Sequence, residues 1–518
     1  MNRVAIGYIV QPTYLNTNWM IRRAKMPSIY RTVIGLEVHV QLKTATKLFC
    51  RCSIRFGASP NTQVCPVCLG LPGALPVLNQ TAIQYAIRAG IGLNSQIASF
   101  TKWDRKNYFY PDLPKGYQTS QFDLPICGPG FLEIDTKNGD GIFAKKKIRI
   151  IRAHLEEDAG KSLHDEVSGK ADTRIDLNRA GTPLLEIVSE PDLSSAEEAK
   201  TYLMEMRLLM MYLGITDGNM QEGSLRADAN VNLHFDRDGE VAATPIVEIK
   251  NLNSFRAVER AIQYESQRQY DLFLADGKKI GEAPKQTRGW DDDLGVTTVQ
   301  REKEDSADYR YFPCPDLVPV TIGQSDIDAQ HASASITPNS ARSKLETELA
   351  LRASDAEVLV QQGRGVVEYF LKLVEGGASP KRASAWMLQD VLRTINDSGI
   401  EIESFPIGST ALSTLLQAVD LNKIDTARAR EIYSKLLTDP ALDLVKMIES
   451  MGIVAVDTNE LMELCRVLLQ ENPDVIAKVR GGNEKAIASL IGQAKKKNKN
   501  ADPRQVQELC LKMIAEGT

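Results

Sequence analysis

Four short segments of the sequence concentrate side chains able to hold a cation. In VIGLEVHVQL, residues 33–42, Glu37, His39 and Gln41 alternate with Leu36, Val38, Val40 and Leu42. IRIIRAHLEEDAGKS, residues 148–162, runs through His154 into the adjacent acids Glu156, Glu157 and Asp158. RIDLNRAGTPLLEIVSEPD, residues 174–192, places Glu186 between Leu185 and Ile187. GSLRADANVNLHF, residues 223–235, sets Arg226, Asp228, Asn230 and Asn232 at every second position. Carboxylates gathered in a strand-rich cleft repel one another unless a cation neutralises them. Oxygen-rich ligation favours Mg²⁺ or Mn²⁺ over zinc.

Each segment has the period-2 alternation of a half-buried strand, so its polar side chains share one face. On this reading Ile148, Ile150, Arg152, His154 and Glu156 lie on one face and Glu157 on the other. Which of Glu156 and Glu157 reaches a cation is left open by the sequence. Acids on solvated strand faces and a lone histidine in a hydrogen-bond network are the ordinary explanations for each segment alone. Their joint occurrence on several strands points to a site.

A second cluster is LFCRCSIRFGASPNTQVCPVCLG, with Cys50, Cys52, Cys65 and Cys68. Two close pairs across a short loop suit a closed tetrahedral zinc site, which staples a knuckle and leaves no position for catalysis. Disulfides are the rival reading, but the N-terminus lacks the long apolar core of a secretory signal, which points to a reducing compartment. Cys127, Cys314, Cys465 and Cys510 are scattered and read as small packed side chains.

The chain has 518 residues, 43% of them hydrophobic and 25% charged, with a formal net charge of -5. That length calls for about three domains. The charge excludes a general polyanion-binding surface, so any nucleic-acid contact must use local basic patches. No apolar run is long enough to cross a bilayer, and no membrane role is expected. The first thirty residues carry Arg3, Arg22, Arg23 and Lys25 and no acid. Met20 and Met26 make an over-extended start the plainer reading and a cytoplasmic location the expectation; an organellar transit peptide is the alternative. Gly160-Lys161-Ser162 imitates the end of a phosphate-binding loop, but Leu155 stands where that loop needs glycine. There is no G-x-S-x-G elbow, no kinase signature and no H-E-x-x-H.

With DLNRAGTPLLEIVSEPD the pattern becomes specific. From about Thr32 onward the chain resembles the B subunit of the aspartyl/glutamyl-tRNA amidotransferases. The motifs that carry the likeness are VIGLEVHVQL, KNYFYPDLPKGYQTSQ, HLEEDAGKS, DLNRAGTPLLEIVSEPD, GSLRADANV, VEIKNLNSF and REKEDSADYRYFP, in that order. Gln300 and Cys314 depart from the family pattern without touching a candidate ligand. The resemblance implies ATP-dependent phosphorylation of the side-chain carboxylate of Glu-tRNA(Gln) or Asp-tRNA(Asn). Amidation then follows with ammonia from an amidase partner, the A subunit, in a heterotrimer completed by the small C subunit.

By resemblance His39, Glu157 and Glu186 are Mg²⁺ ligands, with Glu37, Glu156 and Asp228 nearby. Lys161, Arg179, Arg226 and Lys250 would offset phosphate charge. Tyr117, Gln118 and Ser120 would meet the acylated tRNA end or the ammonia path. The rival readings are a non-catalytic zinc-containing tRNA-binding module and, below it, a metallohydrolase.

The elements that must position these groups form an α+β chain. Residues 32–325 read as a large, cradle-like, strand-rich catalytic domain that includes the knuckle at 50–68. A helical domain follows at 326–405 and a helical tail at 406–518, with 1–31 outside the resemblance. SSAEEAKTYLMEMRLLMMYLGI is a capped helix begun by Ser194 or Ser195 and closed by Gly214. FRAVERAIQYESQRQYDLF is another, with Phe255, Val258 and Ile262 on one side. Lys495, Lys496, Lys497 and Lys499 make a basic run that the resemblance assigns to the tRNA body, as phosphate contacts without base readout.

Overall fold

A computed structural model describes residues 30–137, 143–164, 173–237, 240–303, 309–451, 458–498, 500–501 and 503–516. Lys499 and nearly all of the N-terminal extension lie outside the described residues. The chain divides into two compact units, 1–341 and 342–518.

The first unit is built on one twelve-stranded sheet. Its strands are β1 (Tyr30–Gln41), β2 (Asp104–Asn107), β3 (Tyr117–Ser120), β4 (Gly130–Lys137), β5 (Phe143–Glu157), β6 (Pro183–Ser189), β7 (Leu225–Arg237), β8 (Glu240–Ala243), β9 (Val247–Leu252), β10 (Lys285–Asp291), β11 (Val296–Lys303) and β12 (Phe312–Pro313). The order across the sheet is β11-β10-β9-β7-β1-β6-β5-β3-β2-β12, with β8 on β7 and β4 on β5. Among the described strands of this sheet, only β9 and β10 pair in parallel. The 12-residue β1 lies centrally, between β7 and β6.

One face of the sheet holds the core. Ile34, Leu36, Val38 and Val40 of β1 join Leu185 and Ile187 of β6 and Ala227, Ala229 and Val231 of β7 in one buried cluster. That cluster is closed by helices α1 (Gln80–Gly92), α2 (Ala196–Tyr212) and α3 (Phe255–Asp276). The alternation read from the sequence therefore assigns the faces of these three strands. In α2 the Ser195 hydroxyl accepts from the Glu198 amide, and Glu198 accepts in return from the Ser194 amide at 2.8 Å. Gly214 takes the left-handed φ of 68° just beyond it.

On β5 the alternation breaks. A register shift separates Ile150 from Arg152, and the core receives Ile148 and Ile150, then Ala153 and Leu155. A bulge inserts one unpaired residue and reverses which parity faces inward. Arg152, His154 and Glu156 are thereby carried to the face opposite Ile148 and Ile150, contrary to the shared face expected from spacing.

Helix α4 (Gln324–His331) packs against α1, and the first unit continues to Ala341. In the second unit the helix Ser409–Asp420 packs on Arg364–Glu375 and Pro380–Trp386. Residues 461–514 have a core of their own, with Leu468, Leu490, Val506 and Ile514. Among the described residues, no helix is long and apolar enough to cross a membrane.

Candidate active site

The polar face of the sheet carries the acids. Pairing sets Arg226 opposite His39, His39 opposite Glu186 and Glu186 opposite His154, a continuous lateral row over β7, β1, β6 and β5. Cross-strand neighbours on one face stand about 5 Å apart at Cβ, within side-chain reach. His39 Nε2 lies 3.1 Å from Glu37 Oε1 and 3.5 Å from Glu186 Oε2. His154 Nε2 lies 3.6 Å from Glu186 Oε2 and 3.8 Å from Glu156 Oε2.

Two groups can each converge on one ion: His39, Glu156 and Glu186, and Glu37, His39 and Asp228, with ligand atoms within 4.8 Å of one another in each. Buried polar atoms without a hydrogen-bond partner gather here: His154 Nδ1, Glu156 Oε2, Arg152 Nε, Arg226 Nε and Asn230 Oδ1. Such orphans are costly unless a ligand or ion meets them. The donor set of carboxylates and imidazole fits Mg²⁺ or Mn²⁺.

The electrostatics describe an acid cluster short of positive charge. Burial, reinforced by Glu186 and Asp228, pushes Glu37 up to about 7. Burial and the neighbouring Glu156 push Glu186 up to about 8. Burial also acts on Glu156, but His154 and Lys106 outweigh it and hold that carboxyl at about 2. Burial and Arg226 lower His39 to about 4, so it is neutral at pH 7, the form a cation requires.

The structure separates some residues that the sequence grouped. Glu157, expected as a ligand beside His39 and Glu186, points away from them. Its carboxylate accepts from the Lys115 ammonium and, at 3.2 Å, from the Thr119 amide. Adjacent strand residues face opposite ways, and Glu156 is the one that joins the cluster. Lys161 is exposed on a separate two-stranded ribbon, paired in register with Asp176, and not on the sheet that bears the acids. Arg179 donates to the carbonyls of Ala159 and Gly160 and sits 3.6 Å from Asp158. It organises that turn.

Arg226 does reach the polar face but is tied to Asp158 at 2.8 Å, and Gln41 donates to the same carboxylate oxygen at 2.7 Å. Lys250 binds Asp228 at 2.6 Å and Glu248 at 3.0 Å. Gln118 donates to the Glu157 carbonyl at 2.7 Å, Ser120 pairs with Glu156, and the Tyr117 ring stacks under Arg105 at 4.2 Å.

Sequence reasoning passed over Lys106 and left His154 unassigned. Lys106, on the four-residue β2, is half-buried, faces Glu156 and Glu186, and rests over the Tyr309 ring at 5.2 Å. The acids raise its affinity for a proton against the opposing effect of burial. Its strand is too short to show a period.

The Cys50, Cys52, Cys65 and Cys68 sulfurs also lie within 4.8 Å of one another. Cys65 and Cys68 Sγ are 3.9 Å apart, close to the edge of about 3.8 Å that zinc–thiolate bonds of about 2.3 Å imply for a tetrahedron. The hydrogen bond from Cys50 holds the Cys68 thiol well below the ordinary range, with help from the Cys65 amide and Lys47. The knuckle can therefore hold a metal ion of zinc's kind. Cys127, Cys314, Cys465 and Cys510 are all buried. In the second unit Lys495 pairs with Asp425 at 2.9 Å and Lys497 with Glu471 at 2.6 Å, while Lys496 is exposed.

Residues 32–328 match the family model described as the GatB/GatE catalytic domain, and residues 368–514 match the GatB domain. A protein of Rhodopirellula baltica named as the B subunit of aspartyl/glutamyl-tRNA(Asn/Gln) amidotransferase is 54% identical over 486 residues, 94% of this chain and 97% of the relative. Its namesake in Geobacter sulfurreducens is 45% identical over 489 residues, 94% of this chain and 99% of the relative. That of Caldanaerobacter subterraneus is 42% identical over 482 residues, 93% and 98% of the two chains. The chain belongs to the B-subunit family of the aspartyl/glutamyl-tRNA(Asn/Gln) amidotransferases, a family of glutamine-dependent carbon–nitrogen ligases.

Proposed function

We propose that the chain phosphorylates the side-chain carboxylate of Glu-tRNA(Gln) or Asp-tRNA(Asn) and then directs its amidation. The observation that carries this reading is the row Arg226–His39–Glu186–His154 with Glu37, Glu156 and Asp228 around it. A carboxylate resists ammonia because oxide is a poor leaving group. In the first step a carboxylate oxygen bonds to the γ-phosphorus of ATP while the bond to the β–γ bridging oxygen breaks and ADP leaves. In the second, ammonia nitrogen bonds to the acyl carbon, the carbon–oxygen bond to phosphate breaks, and nitrogen loses a proton. Both steps bring anions together, so alignment and charge neutralisation dominate catalysis.

His39, Glu156 and Glu186 would hold Mg²⁺, with Glu37 and Asp228 at its margin. Bound Mg²⁺ supplies a Lewis acid that draws charge from the phosphoryl oxygens. Lys106 and Lys250 place half-buried ammonium groups beside this face, and Arg226, held by Asp158, supplies a third cation. The cysteine knuckle holds structural zinc. Ammonia comes from the amidase partner, the A subunit, with the C subunit completing the assembly, and the helical tail grips the tRNA through phosphates.

The test supplies γ-labelled ATP, Mg²⁺ and mischarged tRNA to the assembled complex. Phosphate release should require the mischarged tRNA and fall at least 100-fold in Glu186→Ala. Unchanged transamidation in that variant favours the non-catalytic tRNA-binding module.

A further inference from the structure

Lys47 is completely buried, among the largest side chains that are so. Its Nζ donates to Cys68 Sγ at 3.5 Å and to the Leu177 carbonyl at 3.3 Å. Among the described residues, no carboxylate lies within ion-pair distance of it; the nearby acids Glu157 and Asp158 pair with Lys115, Arg179 and Arg226 instead. A buried ammonium without a counter-charge is severely destabilising. The anionic group it faces is the Cys68 sulfur of the knuckle. Four thiolates around Zn²⁺ carry a net charge of −2, so cation and knuckle compensate each other.

The backbone around Lys47 connects that knuckle to the acid face. The Lys47 amide donates to the Cys52 carbonyl at 2.9 Å, and the next amide, Leu48, donates to Gly181 at 2.9 Å. The Gly181 amide donates to the Asp158 carbonyl at 2.8 Å, and the Asp158 amide to Thr182 at 2.8 Å. Gly181 has φ +85°, and a Cβ there would meet Glu157 Oε1, Lys47 Cδ and Cys68 Cβ at 3.5, 3.6 and 3.7 Å. Knuckle, lysine and the end of β5 thus meet at one turn. Asp158 in turn holds Arg226 and Gln41 on the polar face.

We propose that Lys47 is a positioning residue that couples metal binding in the cysteine knuckle to the placement of Asp158 and Glu156 on the acid face. Its ammonium balances the tetrathiolate, and the Cys52–Lys47–Leu48–Gly181–Asp158 hydrogen bonds transmit the resulting order. The inference rests on reading the knuckle as a zinc site.

The experiment uses the full chain, wild type and the neutral variants Lys47→Met and Lys47→Gln; the glutamine keeps a donor for the Leu177 carbonyl and removes only charge. Zinc content of the wild type comes first: its absence defeats the zinc reading itself. With zinc present, Co²⁺ affinity, read from the tetrathiolate absorption bands, should fall at least tenfold in both variants. Chelating zinc from the wild type should speed amide hydrogen exchange at least tenfold in peptides spanning 156–160 and 179–183. It should leave α3 unchanged. Wild-type Co²⁺ affinity in a folded variant would overturn the charge role of Lys47. Undisturbed exchange at 156–160 after chelation would overturn the coupling, and this arm needs no variant to fold.

Discussion

Binding of Mg²⁺ should expel protons, because the acid face holds protons that ordinary carboxylates have lost at neutral pH. With Glu37 at about 7 and Glu186 at about 8, Glu37 keeps about half a proton at pH 7 and Glu186 about nine-tenths. His39, lowered to about 4, and Glu156, at about 2, have none to give. A cation needs deprotonated ligands, so uptake of Mg²⁺ at pH 7 should release between about one and one and a half protons. Release should approach about two at pH 6 and nearly vanish at pH 9. The apparent Kd should correspondingly fall roughly 30-fold or more from pH 6 to pH 7. Calorimetric titration with MgCl₂ in two buffers of very different ionisation enthalpy measures the release directly. Glu186→Gln should lower it by about nine-tenths of a proton at pH 7. Mg²⁺ binding at pH 6–7 with no net proton release, or with the same release in Glu186→Gln, would refute the claim that these carboxyls share the ion.

The same protons set a stability trend. Between pH 6.5 and 8 without divalent cation, the folded chain binds protons on Glu37 and Glu186 that the unfolded chain has released. Stability should therefore fall as pH rises through that window, and Mg²⁺ should flatten the slope in urea titrations. Glu156→Gln should weaken Mg²⁺ binding at least tenfold, whereas Glu157→Gln should leave it within about threefold. Glu157→Gln should instead cost about 1–3 kcal/mol of stability by leaving the half-buried Lys115 ammonium without its counter-charge. Lys496→Ala should weaken tRNA binding by the complex and reduce the log–log salt slope by about 0.7–0.9. The ion-paired Lys497 should change it less, as filter binding at several salt concentrations will show.

Much of the site was legible because alternation is local. The aliphatic residues of β1, β6 and β7 had to face a core, which pointed Glu37, His39, Glu186 and Asp228 the other way. The four cysteines declared a knuckle by type and spacing, and the Ser195–Glu198 pair marked the start of α2. Lys161 enters only through the resemblance, and its strand belongs to a separate two-stranded ribbon, a pairing that local alternation does not show. Lys106 escaped because a four-residue strand carries almost no periodic signal.

By itself, then, the sequence determined which side chains share a face within β1, β6 and β7, where unbroken alternation leaves the face to backbone geometry two residues apart. Only the tertiary structure decided which residues meet across strands. His39 finds Glu186, and Glu186 finds His154, through pairings between distant segments. It also decided between Glu156 and Glu157, through a bulge at Ile150–Arg152 that one strand's composition cannot announce. Register and bulges arise from hydrogen bonding between strands, which is non-local and settled only when the sheet assembles.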